Sequence, residues 1–198
     1  MRNVDTYRYQ AAQGKKNRAD VNVASMVEVL KFYPKNMTVD VQPLSKYLDS
    51  GEWRTPPPIL GALVATFTLG GFIMRPWINK GDIGFVIYAD HDVDFIWQTG
   101  KAQIPNTERN HSPNDAIFIG GITTQNNVIP NLADNAFVIA TQDNTVSFAI
   151  SQTGISIKGN LTVDGNINAN GVNANGISLG GHVHGGVYSG GSLTGQPQ

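Results

Sequence analysis

An all-β protein is predicted by three observations. Only 15% of the 198 residues are charged while glycine numbers 22, a turn-rich composition carrying less charge than the roughly 25% of ordinary globular domains. Apolar and polar residues alternate singly along several short stretches, the period of a half-buried strand. The longest apolar run, Ile59 to Met74, has 16 residues with three glycines and two threonines, short of the ~20 that a membrane-spanning helix needs. It reads as two buried strands joined at Gly70-Gly71.

Residues 1–20 are polar, with Lys15, Lys16 and Arg18 clustered, and read as an N-terminal arm, helical or extended. No apolar run follows these basic residues, so no secretory signal is expected. From Ser25 the pattern becomes β. Residues 25–33 and 37–43 form a hairpin through Pro34-Lys35-Asn36, with Val39 and Val41 alternating against Thr38, Asp40 and Gln42. The prolines of "RTPPPIL" cannot donate to a sheet and place this connector along an edge. The apolar strands of 59–74 come next, then a turn at Lys80-Gly81-Asp82, a buried strand "IGFVIY" and a short helix or turn around Asp92 to Gln98. Five or so strands with one short helix suit a small closed barrel of the OB type over residues 21–122.

Around Gly120-Gly121 the composition shifts. From Val146 onward the only charged residues are Lys158 and Asp164, and glycines recur at 154, 159, 165, 171, 176 and 180. Ile155, Ile157, Leu161, Val163, Ile167 and Ala169 occupy odd positions, with polar residues between them. Such a repeat has one face to bury and one to wet. Strands of four or five residues make no core within one copy, so residues 123–180 are expected to form a shaft that buries its face by stacking or by intertwining with other chains.

Charge and composition also exclude functions. Fourteen basic and 15 acidic residues leave a net charge of −1, which supplies no field to attract nucleic acid, and no nucleic-acid partner is expected. Cysteine is absent, so disulfides, thiolate metal sites and cysteine nucleophiles are excluded. Glu28, Glu52 and Glu108 are scattered, and no serine-nucleophile motif or phosphate loop occurs. No catalytic residue, no small-molecule substrate and no enzymatic activity are expected. "DHDVD" at Asp90 to Asp94 lacks the glycine and bidentate glutamate of a calcium loop and reads as structural. His111 has no partner in sequence and reads as a local hydrogen-bonding residue.

His182 and His184, in "GGHVHGGVYSGG", are the candidate metal ligands. Two apart in an extended segment, they project to one side. One chain offers two nitrogens, too few for a closed site, whereas three chains around an axis offer six, which suits an octahedral first-row ion. An exposed pair on a flexible tail, or a remnant of a purification tag, is the alternative. Both histidines lie on the even, wet face of the repeat, so the register must flip before them, and Gly180-Gly181 gives a place for the flip.

The ordered series "MTVDVQP", "TPPPIL", "GDIGFVIYADHDVDFIWQTG", "RNHSPNDAIFIGGI" and "HVHGGVYSGGSLTGQPQ" resembles the central spike proteins of contractile-tailed phages. The resemblance covers nearly the whole chain. It departs at Val183, where such proteins often have threonine, and at "TGQPQ" in place of a double proline. It implies a homotrimer with an OB-fold barrel docked on the baseplate hub protein, an intertwined triple-stranded β-helix and a pointed apex at 181–198. It also implies one iron ion per trimer on the three-fold axis, held by His182 and His184 of each chain. The protein would sit at the baseplate tip of the virion tail and pierce the host cell envelope when the sheath contracts.

Two other classes fit less well. A left-handed β-helix acyltransferase of the hexapeptide type needs several coils of about 18 residues, more than Gly154 to Gly180 supplies. An OB-fold binder of oligonucleotides or oligosaccharides needs a basic groove lined with aromatics, and the low charge opposes it.

Overall fold

The computed structural model describes residues 21–125, 132–178 and 180. The chain divides into two compact units, residues 1–128 and 129–198. Among the described residues both are built mainly of strands, and no helix is long and apolar enough to cross a membrane.

The first unit is a closed five-stranded barrel. Its strands are β1 (Ala24–Tyr33), β2 (Thr38–Pro43), β5 (Ile59–Val64), β8 (Ile83–Tyr88) and β9 (Ala116–Gly120). They run in the order β1-β2-β5-β9-β8 and close through β1 and β8. All pairs are antiparallel except β5 with β9. This order and direction are compatible with an OB-type barrel. The expected first hairpin forms with Tyr33 opposite Thr38. Period two then sends Val27, Val29, Val39, Val41, Val86 and Phe118 inward, where they are fully or almost fully buried.

β8 reads in the sequence as a buried strand. In the structure Gly84 and Val86 are buried and Tyr88 packs against the core, while Phe85 and Ile87 face out. A barrel has one interior, so alternate residues of even an apolar strand meet its outer surface. The pairing places Met26 beside Phe85 and Phe85 beside Ile119, with Ala24, Ile87 and Ile117 aligned in the next row. The outer wall of β1, β8 and β9 therefore carries a continuous apolar patch.

The run from Ile59 to Met74 also differs from expectation. Its first part is β5, inside the barrel wall. The rest is a separate hairpin, β6 (Phe67–Leu69) and β7 (Phe72–Met74), turning on Gly70 and Gly71 at φ of 58° and 84°, angles that a two-residue hairpin turn requires. Both strands are exposed rather than buried. The barrel is already closed where Ala65 N–H donates to the Phe118 carbonyl at 2.9 Å, and no second layer of the described unit lies against the hairpin. The chain then returns through Ile78, which is buried in the core.

A second hairpin, β3 (Tyr47–Asp49) and β4 (Glu52–Arg54), precedes the prolines. Residues 55–58 carry no strand, and the Pro56 carbonyl accepts from Gln42 Nε2 at 2.8 Å. Among the described residues the one α-helix, α1, spans Asp94–Thr99 and ends on Gly100, and a single 3-10 turn spans Pro113–Asp115.

The second unit opens with a three-stranded antiparallel sheet, β10 (Ala136–Ala140), β11 (Ser147–Ser151) and β12 (Gly154–Lys158). Its register stacks Phe137, Ile150 and Ile155 in one row and Ile139, Phe148 and Ile157 in the next. One face is thus six large apolar residues, of which all but Phe148 are exposed. Residues 159–172 carry no strand, and β13 (Asn173–Ala174) and β14 (Ile177–Ser178) close a small hairpin on Asn175-Gly176. Ile155, Ile157, Leu161, Val163 and Ile167 are all exposed. Among the described residues nothing covers the face that the alternation marks as apolar.

Candidate functional site

The long excursion between β8 and β9 gathers the barrel's buried charge. Asp92 and Asp115 are the only buried charged residues among those described, and both face the guanidinium of Arg109. Arg109 Nε donates to Asp115 Oδ2 at 2.6 Å, Nη2 donates to Asp115 Oδ1 and Asp94 Oδ2, each at 2.9 Å, and Nη2 pairs with the charge of Asp92, whose Oδ1 lies 3.0 Å away. The backbone adds its own donors. Asp92 Oδ1 accepts from Asp94 N–H and Asp115 Oδ1 from Val93 N–H, each at 2.9 Å, while the Thr107 hydroxyl donates to Asp92 Oδ2 at 2.8 Å.

Burial alone would raise the pKa of Asp92, but the hydrogen bonds from Asp94 and Thr107 and the charge of Arg109 outweigh it and hold the carboxyl below its ordinary range. The same pairing, led by the bonds to Asp115 and Asp94, raises the pKa of Arg109. Charge-assisted bonds of this bidentate kind fix geometry as well as energy.

Asp92, Asp94 and Asp115 bring carboxylate oxygens within 4.8 Å of one another, which is a cation's spacing. The guanidinium already stands among them. A divalent ion would have to displace Arg109, and a nucleophile would find both buried carboxylates engaged. The arrangement does one thing well: it ties residues 92–94 to residues 107–115 and so closes a long loop onto the barrel.

A second tie lies beside it. His111 Nε2 meets Asp90 Oδ1 at 3.0 Å, and His91 Nδ1 meets Asn110 Oδ1 at 2.7 Å. The His111 carbonyl accepts from Asn22 Nδ2 at 3.0 Å, and its Nδ1 is buried without a hydrogen-bond partner among the described residues. The "DHDVD" stretch and His111 are therefore the two halves of one structural staple. His111 bonds across the excursion rather than locally, because its left-handed backbone, φ 48°, turns the chain back toward Asp90. Arg109, the centre of the staple, opens the "RNHSPNDAIFIGGI" stretch that carries the family resemblance, but nothing in the sequence pairs it with Asp92 or Asp94.

His182 and His184 lie outside the described residues. What the chain is similar to is nevertheless clear from its two ends. Residues 26–121 match the family of the phage protein Gp138 N-terminal domain, which contains the whole β1 to β9 barrel except for the first residues of β1. Residues 176–198 match the GpV Apex motif. The chain belongs to the phage baseplate spike family. No curated protein matches it.

In this spike the barrel fills the N-terminal match, and the apex match contains both candidate histidines. The family is a structural one of the phage virion baseplate, which leaves neither the acyltransferase nor the OB-type binder favoured.

Proposed function

We propose that this spike is a homotrimer that docks on the baseplate hub through its barrel and pierces the host cell envelope with its C-terminal apex when the sheath contracts. The observation that carries this reading is the apolar face of the second unit, Phe137, Ile139, Phe148, Ile150, Ile155 and Ile157, uncovered in one copy and continued by the odd positions as far as Ile167. Faces of this size are buried in stable proteins, and three identical ones close around an axis. In this reading residues 123–180 form the triple-stranded shaft and 181–198 the tip.

His182 and His184 of the three chains hold one iron ion on the axis. The donor set supports this: six imidazole nitrogens, no cysteine in the chain and no carboxylate after Asp164 suit a transition metal better than calcium or magnesium. Six protein ligands leave no open position, so the metal is structural. The spike works mechanically and has no substrate.

Sedimentation tests the reading. Three chains of 21.3 kDa make a particle of about 64 kDa at micromolar concentration. A monomer or dimer overturns it.

A further inference from the structure

The hairpin β6–β7 is an apolar arm on a rigid base. Residues facing each other across an antiparallel pair share a side, so Phe67, Leu69, Phe72 and Met74 make one face of it. They expose 75, 79, 81 and 59% of their surface. An isolated two-stranded hairpin is marginal in water, and this one presents its greasy side to solvent. Its base, by contrast, is fixed. Ile78 is in the barrel core, Asn79 N–H donates to Asp82 Oδ2 at 2.7 Å, and Gly81 N–H and the Val29 carbonyl join at 2.9 Å.

The same barrel carries a second uncovered apolar surface, the outer patch of β1, β8 and β9. Met26, Phe85, Ile87 and Ile119 are 38 to 44% exposed there. Arm and patch do not cover each other within one copy, since both are open. A chain that bears two separate, unlike apolar surfaces is built for head-to-tail contact, and such a contact either closes into a ring or runs on as a filament.

We propose that the β6–β7 arm of one copy clasps the β1–β8–β9 patch of its neighbour, so that three arms link three barrels into a closed collar. The proposal rests on the trimeric reading above and adds to it a second, heterologous interface formed by the barrels. Its size fits that role. Eight apolar side chains, scaled from the roughly 150–250 Å² that a whole aromatic side chain buries, cover on the order of 1,000 Å², the lower edge of what holds two proteins together unaided. Three such contacts in a ring reinforce one another, and the shaft need only bring the barrels together.

The chain has no cysteine, which makes the test direct. Two double variants of the full chain, Phe72→Cys with Phe85→Cys and Leu69→Cys with Ile119→Cys, are oxidised and run without reductant beside each single variant. All four positions are exposed, and circular dichroism together with sedimentation establishes that each variant is folded and trimeric before oxidation. The expected result is a covalent trimer from at least one double variant and monomer from every single variant. A trimer in sedimentation with no cross-link from either pair overturns the clasp and leaves the trimeric reading standing. A cross-link from Phe72→Cys alone sets arms against arms and overturns the clasp as well, as does a disulfide confined within one chain. A monomer in sedimentation overturns both readings.

Discussion

The ring of Phe118 fills the space that a side chain at Gly84 would need. A Cβ built on Gly84 would lie 2.6 Å from the Phe118 ring and 2.5 Å from the Ile119 carbonyl. Gly84 sits opposite Gly120 on β9 and opposite Val27 on β1, so a missing side chain on β8 is what lets the largest core residue lie flat across the strands.

Gly84→Ala is therefore expected to destabilise the barrel. One added methyl must move either backbone or a fully buried ring, and overpacking of this kind costs about 1–3 kcal/mol. Phe118→Leu on the alanine background should recover part of the loss, because the smaller side chain vacates the clash. Thermal denaturation of the four proteins checks both outcomes, and an alanine variant as stable as the parent would show that the ring has somewhere else to go.

Arg109 is the next position to test. Lysine keeps the charge but not the fork that engages Asp115 with two nitrogens, so Arg109→Lys should melt well below the parent and Arg109→Ala lower still. The alanine variant leaves Asp92, Asp94 and Asp115 facing one another without a cation. Millimolar calcium should raise its melting temperature and leave the parent unmoved. A calcium-dependent rise in the parent would show that the guanidinium does not fill the acidic cluster.

Acid should loosen both units for the same reason. Asp143, in the turn between β10 and β11, accepts from the Thr141 hydroxyl at 2.6 Å and from the Thr145 backbone and hydroxyl at 3.1 and 2.8 Å, and these bonds lower its pKa from 3.8 to about 2. A carboxyl depressed in the folded state stabilises above its unfolded pKa and loses that contribution as pH falls through the folded one. The turn is thus expected to hold at pH 5 and weaken between pH 3.8 and about 2. Asp92 is depressed in the same direction and its share is likewise lost below 3.8. Melting temperature against pH should fall in this window, and Asp143→Asn should flatten part of the fall.

Legibility in the sequence followed the range of the interactions. The β1–β2 hairpin was readable because its register depends on neighbours, the alternation about Val39 and Val41 and the turn at Pro34 to Asn36. The staple was not, because Arg109 meets Asp92 and Asp94 across a loop whose ends sequence alone does not bring together. The arm at Phe67 to Met74 reads as buried but is exposed for a different reason: apolarity records that a surface seeks cover, not that its own chain supplies it. The same limit applies to the stretch from Ile155 onward, whose alternation is plain in the sequence while Ile155, Ile157, Leu161, Val163 and Ile167 stay exposed.

The last prediction concerns the tip. His182 and His184 stand two apart in a glycine-rich segment of the apex match, and glycine brings no side chain to pack. Metal binding can replace such packing, because ligation energy realised only in the assembled state acts as folding energy. Elemental analysis of protein never exposed to chelator should find one iron per trimer rather than one per chain, since two nitrogens from each of three chains complete a single octahedron. Changing both residues, His182→Ala with His184→Ala, should remove the metal and make the segment after Gly180 sensitive to protease while the barrel melts as before. Stoichiometric iron surviving the double change would assign the metal to other residues, and its absence from the untreated parent would leave the histidines a role other than ligation.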